Sequence, residues 1–454
     1  MSRPGPGLCV PRAPLLELHD LRHGSEYRNF AAPDLVAACV RRTLVLASLT
    51  LALWPAAAAA AQSTRSAQSS ESGLRSVLDR SMSAAGSSSG AQVLDAGAGR
   101  VLYERRASTP RILASNAKLF TTAAALGRLG PTATLPTRAL AGSAPSGGVL
   151  SGDLYLRGGG DPTFGSSDFA RGSGSSASVD ALAEQVRTAG VTRVSGRVVG
   201  DEGLFDSRRG GPSSGFATSG YVGPLSALSF NRGRAPGGGF LSSPPSFAAA
   251  QLDRALERRG VSVSGAPRAG SAPTGAAEVA SVASPSVARL ALLTNKPSDN
   301  FFAETLLKGL GARAGGAGTT AAGARVAAAY ARTLGSAANL ADGSGLSRGN
   351  RASPRSVARL LTAMRATPAG ASFSDSLPVA GREGTLRNRM RSGPAAGRCR
   401  AKTGTIAGVS TLSGYCATAS GGNLVFSFLM NGVSPSGARR LQDRMTQALA
   451  GYRG

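Results

Sequence analysis

Histidine is nearly missing from this chain. Its 454 residues include two, His19 and His23, and both precede an apolar stretch at residues 43–53 that reads as an export signal. An exported form cut behind that stretch contains none, which excludes a Ser-His-Asp arrangement and any histidine-based metal site. Lysine is almost as scarce. Lys118, Lys296, Lys308 and Lys402 are the only four, so most of the 51 basic residues are arginines. Acidic residues number 25, leaving a formal net charge of +26. A genome that favours Arg, Ala and Gly codons accounts for that excess as readily as an anionic partner does. The charge is spread along the chain, with no aromatic-basic motif, zinc-finger spacing or concentrated arginine block, so no nucleic acid is expected as a partner. No metal and no cofactor is expected. After residue 61 no apolar run is long enough to cross a membrane, so no stable span is expected once the signal is gone.

What is present begins with that leader. Arg41-Arg42 supply the charged region, residues 43–53 the apolar one, and Ala56 to Ala61 the small residues for cleavage near Ala61 and Gln62. Residues before Val40 match neither a signal nor a domain, and Val36 and Val40 are alternative starts. Removing residues 1–61 also removes Cys9 and Cys39, leaving Cys399 and Cys416 in a compartment that permits a disulfide. A Ser/Gln-rich linker is read at 62–72. Residues 73–133 carry a helix, a hairpin around Ala96-Gly97-Ala98-Gly99, and a second helix. From 134 to 283 the composition shifts. Strands at 149–157 and 191–199 alternate there with helices at 179–189 and 247–259 and with Gly/Ser/Pro loops, which reads as an inserted α+β unit. From 284 to 454 helices return, followed by a strand meander at 398–404, 411–417 and 424–430 and a last helix. A helix at each end with an antiparallel sheet between them predicts that the first and last segments form one domain.

Three short patterns carry chemistry. Ser115-Asn116-Ala117-Lys118 opens an Ala-rich helix, so Ser115 and Lys118 share a face of its first turn. Serine needs a base to become a nucleophile, and a neutral lysine can serve. Alone, the pattern also describes a capped helix with a solvated lysine. Ser298-Asp299-Asn300 and Lys402-Thr403-Gly404 follow in that order, and the trio is that of serine β-lactamases and penicillin-binding proteins. In this reading Ser115 attacks an acyl carbonyl, and Lys118 is its base. Desolvation and a neighbouring cation, with Lys402 as the candidate, push Lys118 below the ordinary value of about 10.4. Lys402 also holds a substrate carboxylate. Ser298 relays a proton to the leaving amine, and Asn300 orients Lys118 and the substrate amide. Thr403, Gly404 and Thr405 line the substrate, Gly404 because it has no Cβ. The backbone N–H groups of Ser115 and Thr405 are the oxyanion donors. A second Ser-x-Asn, Ser229-Phe230-Asn231, is set aside because a flexible Arg/Gly loop follows it.

Further stretches point to a family. They are Leu156 to Thr163 (LRGGGDPT), Asn295 to Asn300 (NKPSDN), Asp342 to Arg348 (DGSGLSR), Leu377-Pro378-Val379-Ala380-Gly381 with Gly384-Thr385-Leu386, and Arg400 to Thr405 (RAKTGT). With them the chain resembles the penicillin-binding D-alanyl-D-alanine carboxypeptidases of the penicillin-binding protein 4/DacB type, peptidase family S13, over residues 74–452. Ser115 and Ser298 lie 183 residues apart, room for the large insertion that family carries. The resemblance implies an α/β (α+β) fold: a β-lactamase/transpeptidase-like domain with a five-stranded antiparallel sheet flanked by helices, and the inserted unit beside it. It implies an exported enzyme of the periplasm or cell wall. Such an enzyme removes the terminal D-alanine of peptidoglycan stem peptides, or cuts D,D cross-links, and takes β-lactam antibiotics as covalent inhibitors. Glu383 departs from the Asp expected in relatives. Other readings are a β-lactamase or esterase on the same machinery, and a non-catalytic wall-binding protein.

If the last hairpin turns at Ala407-Gly408, Cys399 faces Cys416 across the ladder, on the strand face opposite Lys402. A disulfide and a pair of buried reduced thiols both fit that placement.

Overall fold

The computed structural model describes residues 70–454. The leader and residues 62–69 of the linker lie outside them. The linker reading ends too late, because Ser70 caps a helix whose first residues are Glu71 and Ser72. Helix α1 is Glu71–Ala84, and the Ser70 hydroxyl accepts from the Gly73 amide at 3.1 Å. Strands β1 (Gly90–Asp95) and β2 (Arg100–Arg105) follow as a hairpin, its turn tied by Asp95 Oδ1, which accepts from the amides of Gly97 and Ala98.

Helix α2 (Ala117–Leu129) is buried on every side from Ala117 to Leu126. Its alanines and threonines are the consequence: helices Val287–Asn295, α3 (Asn300–Ala314) and Thr320–Thr333 all pack against it, leaving little room for larger side chains. Strands β3 (Cys399–Ile406), β4 (Val409–Ala417) and β5 (Asn423–Asn431) and helix α4 (Pro435–Gly451) complete the chain.

The five strands make one antiparallel sheet in the order β3-β4-β5-β1-β2. The first hairpin thus joins the last three strands, with Gly90 opposite Leu429 and Asp95 opposite Leu424. One face packs on α1 and α4 through Leu74, Leu78, Phe426, Phe428, Met445 and Leu449. The other packs on α2 and its neighbours through Phe120, Leu361, Tyr415, Val425 and Leu429. The expected five-stranded sheet with helices on both faces is present.

A second, six-stranded mixed sheet is built from residues 136–283. Its strands Pro136–Ala141 and Ala277–Ala283 pair antiparallel, so the segment leaves the main body and returns through adjacent strands. Strand Arg193–Asp201 lies at its centre, parallel to Ser262–Ala269 on one side and to Val149–Leu150 and Leu154–Arg157 on the other. The continuous strand read at 149–157 is therefore two. Gly152, at φ +93°, turns the chain between them. Among the described residues no helix is long and apolar enough to cross a membrane.

Cys399 and Cys416 are paired in register and joined by a disulfide. Both belong to the core under α1 and α4, so the bridge lies behind the face that bears Lys402.

Candidate active site

Ser115 does not sit in the first turn of α2. It occupies a separate 3-10 turn, Ala114–Asn116, just ahead of the helix. Ala114 has φ +45°, a conformation costing a non-glycine residue on the order of 1–3 kcal/mol, which its surroundings must hold in place. They do so from three sides. The Leu113 amide donates to Asn350 O at 3.0 Å, the Thr411 hydroxyl donates to Leu113 O at 3.0 Å, and Asn116 Nδ2 donates to Lys402 O at 2.9 Å. Gly404 and Gly345 clear the space. A Cβ on Gly404 would lie 2.9 Å from the Ser115 amide, and one on Gly345 would lie 1.9 Å from Ala114 O. Gly404 is thus required by the chain's own Ser115 turn, a reason the sequence reading did not contain.

Lys118 is fully buried. Its Nζ meets Ser115 Oγ at 3.1 Å, Asn300 Oδ1 at 2.7 Å and Ser344 O at 2.6 Å. Asn300 cannot turn its amide round without loss, because Nδ2 donates to Tyr221 O at 3.0 Å. Amide and carbonyl oxygens only accept. A neutral Lys118 with its two N–H on those oxygens therefore has its lone pair left for the Ser115 hydroxyl. Burial lowers Lys118 to about 8, and the carboxylates of Glu304, Asp342 and Asp299 oppose the shift. At pH 7 about one molecule in ten then carries it neutral.

Of the two expected causes of that shift, desolvation holds and the neighbouring cation needs correcting. Desolvation lowers Lys118, and Lys402 is not the source. Repulsion between the two amines falls on Lys402 instead, which burial first and Lys118 second hold well below the ordinary lysine range. The asymmetry has a structural reason: three carboxylates support the charge on Lys118, and none of them supports Lys402. Among the described residues Lys402 Nζ donates to Ser298 Oγ and Thr403 O, both at 2.8 Å.

Ser298 links to Lys402 and has φ +63°. Asp299 caps α3 by accepting from the Phe302 amide, which sets Asn300 as the first helical residue. Thr403 donates its hydroxyl to Thr385, whose amide reaches Lys296 O at 3.0 Å, and Glu383 pairs with Lys296 at 2.7 Å. Glu383, at the position where Asp was expected, therefore fastens this turn. Arg439 donates to the Thr405 hydroxyl. The eight residues singled out by the sequence come together: Ser115, Lys118 and Asn300 are in contact, Lys402 reaches Ser298, and Gly404, between Thr403 and Thr405 on the strand of Lys402, lies against the Ser115 turn. The side chain of the rival Asn231 is engaged away from Lys118, accepting from the Ser166 amide.

Strand β3 is an edge. Its ladder pairs Ala401 with Gly414 and Thr403 with Leu412, and the Ala417 amide donates to Arg398 O. That alternation turns the amides of Ala401, Thr403 and Thr405 away from β4. Ala401 finds Pro378 O at 2.9 Å, while Thr403 and Thr405 face an edge where no described residue accepts them. The Thr405 amide thus has no acceptor among the described residues, on the strand whose neighbouring Gly404 lies against the Ser115 turn.

Sequence reasoning missed the floor of the site. Glu304 accepts from the amides of Gly343 and Ser344, at 3.1 and 2.8 Å. Asp342 accepts from Gly345, Ser347 and Asn350. Together they fix the Ser344 carbonyl under Lys118. The signals were present: Glu304 is four residues from Asn300 on one helix face, and the Asp342–Arg348 turn was noted only as a likeness.

This geometry can be set beside known proteins. Residues 73–237 and 241–452 match the model of the D-Ala-D-Ala carboxypeptidase 3 (S13) family. A D-alanyl-D-alanine carboxypeptidase of an Actinomadura species is 31% identical over 453 residues, covering 81% of this chain and 82% of its own. Carboxypeptidase DacB of Mycolicibacterium smegmatis is 32% identical over 366 residues, covering 76% and 77%. The crystal structure of penicillin binding protein 4 from Haemophilus influenzae shares the fold, with a TM-score of 0.70 at 20% identity over 82% of this chain and 98% of that one. The chain belongs to the D-Ala-D-Ala carboxypeptidase 3 (S13) family.

Proposed function

We propose that the protein is an exported serine-type D-Ala-D-Ala carboxypeptidase acting on peptidoglycan stem peptides, and that β-lactams acylate the same serine. The observation that carries this is the buried Lys118 amine, 3.1 Å from Ser115 Oγ, with its other two contacts on groups that can only accept.

Neutral Lys118 takes the proton of Ser115 as Oγ bonds to the carbonyl carbon of the penultimate D-alanine. The resulting oxyanion lies between the Ser115 and Thr405 amides. When the C–N bond breaks, the proton on Lys118 returns to the departing D-alanine amine, with Ser298 as relay. Water, deprotonated by the same lysine, then hydrolyses the acyl-enzyme. Lys402 pairs with the terminal carboxylate of the substrate. Burial and the neighbouring Lys118 hold it toward its neutral form, and the carboxylate supplies the charge that stabilises its protonated form. The extended substrate lies along β3 over Thr403, Gly404 and Thr405.

The same proposal divides the chain into catalytic segments 73–133 and 284–454 and an inserted unit at 134–283, behind a leader ending near 61. The adjacency of strands Pro136–Ala141 and Ala277–Ala283 supports that division.

Ser115→Ala tests the assignment. The variant should fold, take no fluorescent penicillin and release no D-alanine from a D-Ala-D-Ala peptide. Full labelling of that variant would remove Ser115 from the role.

A further inference from the structure

We propose that the 134–283 unit completes the acyl-transfer site: its 221–232 loop grips the Ser298-Asp299-Asn300 segment, with Arg232 as a positioning residue. This rests on the function proposed above.

The two central residues of the grip are held from this loop. Asn300 gives its Nδ2 to Tyr221 O, the contact that keeps Oδ1 on Lys118. Asp299 receives both arms of the Arg232 guanidinium, Nη1 at 2.8 Å and Nη2 at 3.0 Å. A bidentate pair fixes orientation as well as distance. The same guanidinium lies over the rings of Phe301 and Phe302, 5.4 and 5.7 Å from their centroids. Arg232 thereby holds the residue that separates Ser298 from Asn300, together with the first turn of the helix behind them.

The loop is itself anchored. Arg209 ties Leu225 through its amide and carbonyl and pairs with Glu202. Lys308 of α3 donates to Asp206 Oδ1 at 2.6 Å and to Arg208 O at 3.0 Å. Both sides of the grip hold non-glycine residues at positive φ, Asn231 and Arg232 on one and Ser298 on the other. Such conformations persist where surrounding contacts over-determine them.

Arg232 touches neither Ser115 nor Lys118, so its loss should slow chemistry through Asn300 and Ser298. In full-length protein, Arg232→Met should lower kcat for D-alanine release and the rate of penicillin acylation by about 30-fold, with KM changed less than about threefold. Asp299→Asn keeps a capping side chain but loses the ion pair. Compared on the alkaline plateau, above the midpoint of Lys118, it should lose as much, and the double variant should lose no more. Arg232→Lys, with a point charge and no fork, should recover part of the rate.

Hydrogen exchange across residues 298–304 reads the grip without reference to chemistry, and should quicken about tenfold in Arg232→Met. Unchanged exchange in that variant overturns the proposal, as does wild-type kcat in both single variants. An inactive wild type whose exchange still responds to Arg232→Met would instead leave the grip standing and defeat the carboxypeptidase reading.

Discussion

Gly404→Ala puts the contact between β3 and the Ser115 turn to a quantitative test. The new methyl group would arrive 2.2 Å from Thr411 Oγ1, 2.9 Å from the Ser115 amide nitrogen and 3.0 Å from Leu113 O. The first clash is relieved if Thr411 rotates. That rotation breaks its hydrogen bond to Leu113 O, at about 1 kcal/mol. The other two are with backbone and have no rotamer to yield, so strand and turn must part by about half an ångström. Overpacking of this kind costs about 1–3 kcal/mol. With the broken hydrogen bond, the loss of stability should come to about 2–4 kcal/mol.

The same movement draws the Thr405 amide away from Ser115. A 1 Å misplacement costs about 10²-fold in rate, so half of that predicts roughly a tenfold slower acylation. Thermal melting without ligand reads the first effect, and single-turnover acylation by a fluorescent penicillin reads the second. Adding Thr411→Ala should restore part of the stability and little of the rate, because the Ser115 and Leu113 contacts remain. A Gly404→Ala protein with wild-type melting and acylation would refute the idea that the strand presses on this turn.

Two further predictions concern protons and thiols. Acylation needs neutral Lys118, held at about 8, so its rate should fall about tenfold per pH unit below that value and level off above it. Glu304 raises the lysine's proton affinity and is itself pushed up to about 7, mostly ionised at the midpoint, so Glu304→Gln should move the profile to lower pH. A flat profile, or a shift the other way, would contradict the assignment. The disulfide closes a loop across a separation of 17 residues, and replacing both cysteines with alanine should cost about 3 kcal/mol. Exported protein alkylated after denaturation without reduction should take up no reagent at Cys399 or Cys416. Two alkylated thiols would mean that the bridge does not form.

The sequence made legible whatever depends on local order. Hairpin symmetry about Ala407-Gly408 placed Cys399 opposite Cys416, because a two-residue turn sets the register of everything behind it. The trio was readable because each member is a short pattern of fixed residue types, and the structure brings Lys118 against Ser115 and Asn300 and Lys402 against Ser298. Three strands of the second sheet were missed. Ser262–Ala269 contains Gly, Pro and Arg and buries no residue fully, so it carries little apolar alternation to detect. The floor beneath Lys118 was missed for another reason. A carboxylate that receives backbone amides leaves no periodic trace, and its meaning appears only when Glu304 and Ser344, 40 residues apart, come together. Of the two causes expected for the shift on Lys118, burial holds and the neighbouring cation does not, because which of two facing amines yields to the other depends on carboxylates that a sequence does not place.

The free edge of β3 has a consequence for what the cleft excludes. Pro378 and Ala380 already occupy that edge at Cys399 and Ala401, and the hairpin turn ends it after Ile406. The gap between is about 10 Å of strand, with two outward amides to offer. A guest of two or three extended residues can use all of it. A longer strand, whether from another protein or a second copy of this one, would meet the Pro378 cap on one side and the turn on the other before gaining a third rung. Exposed edges invite fibre-like stacking, and blocked short ones do not. On the function proposed above, the opening would work as a ruler, long enough for the end of a short peptide and too short to pair with a longer strand.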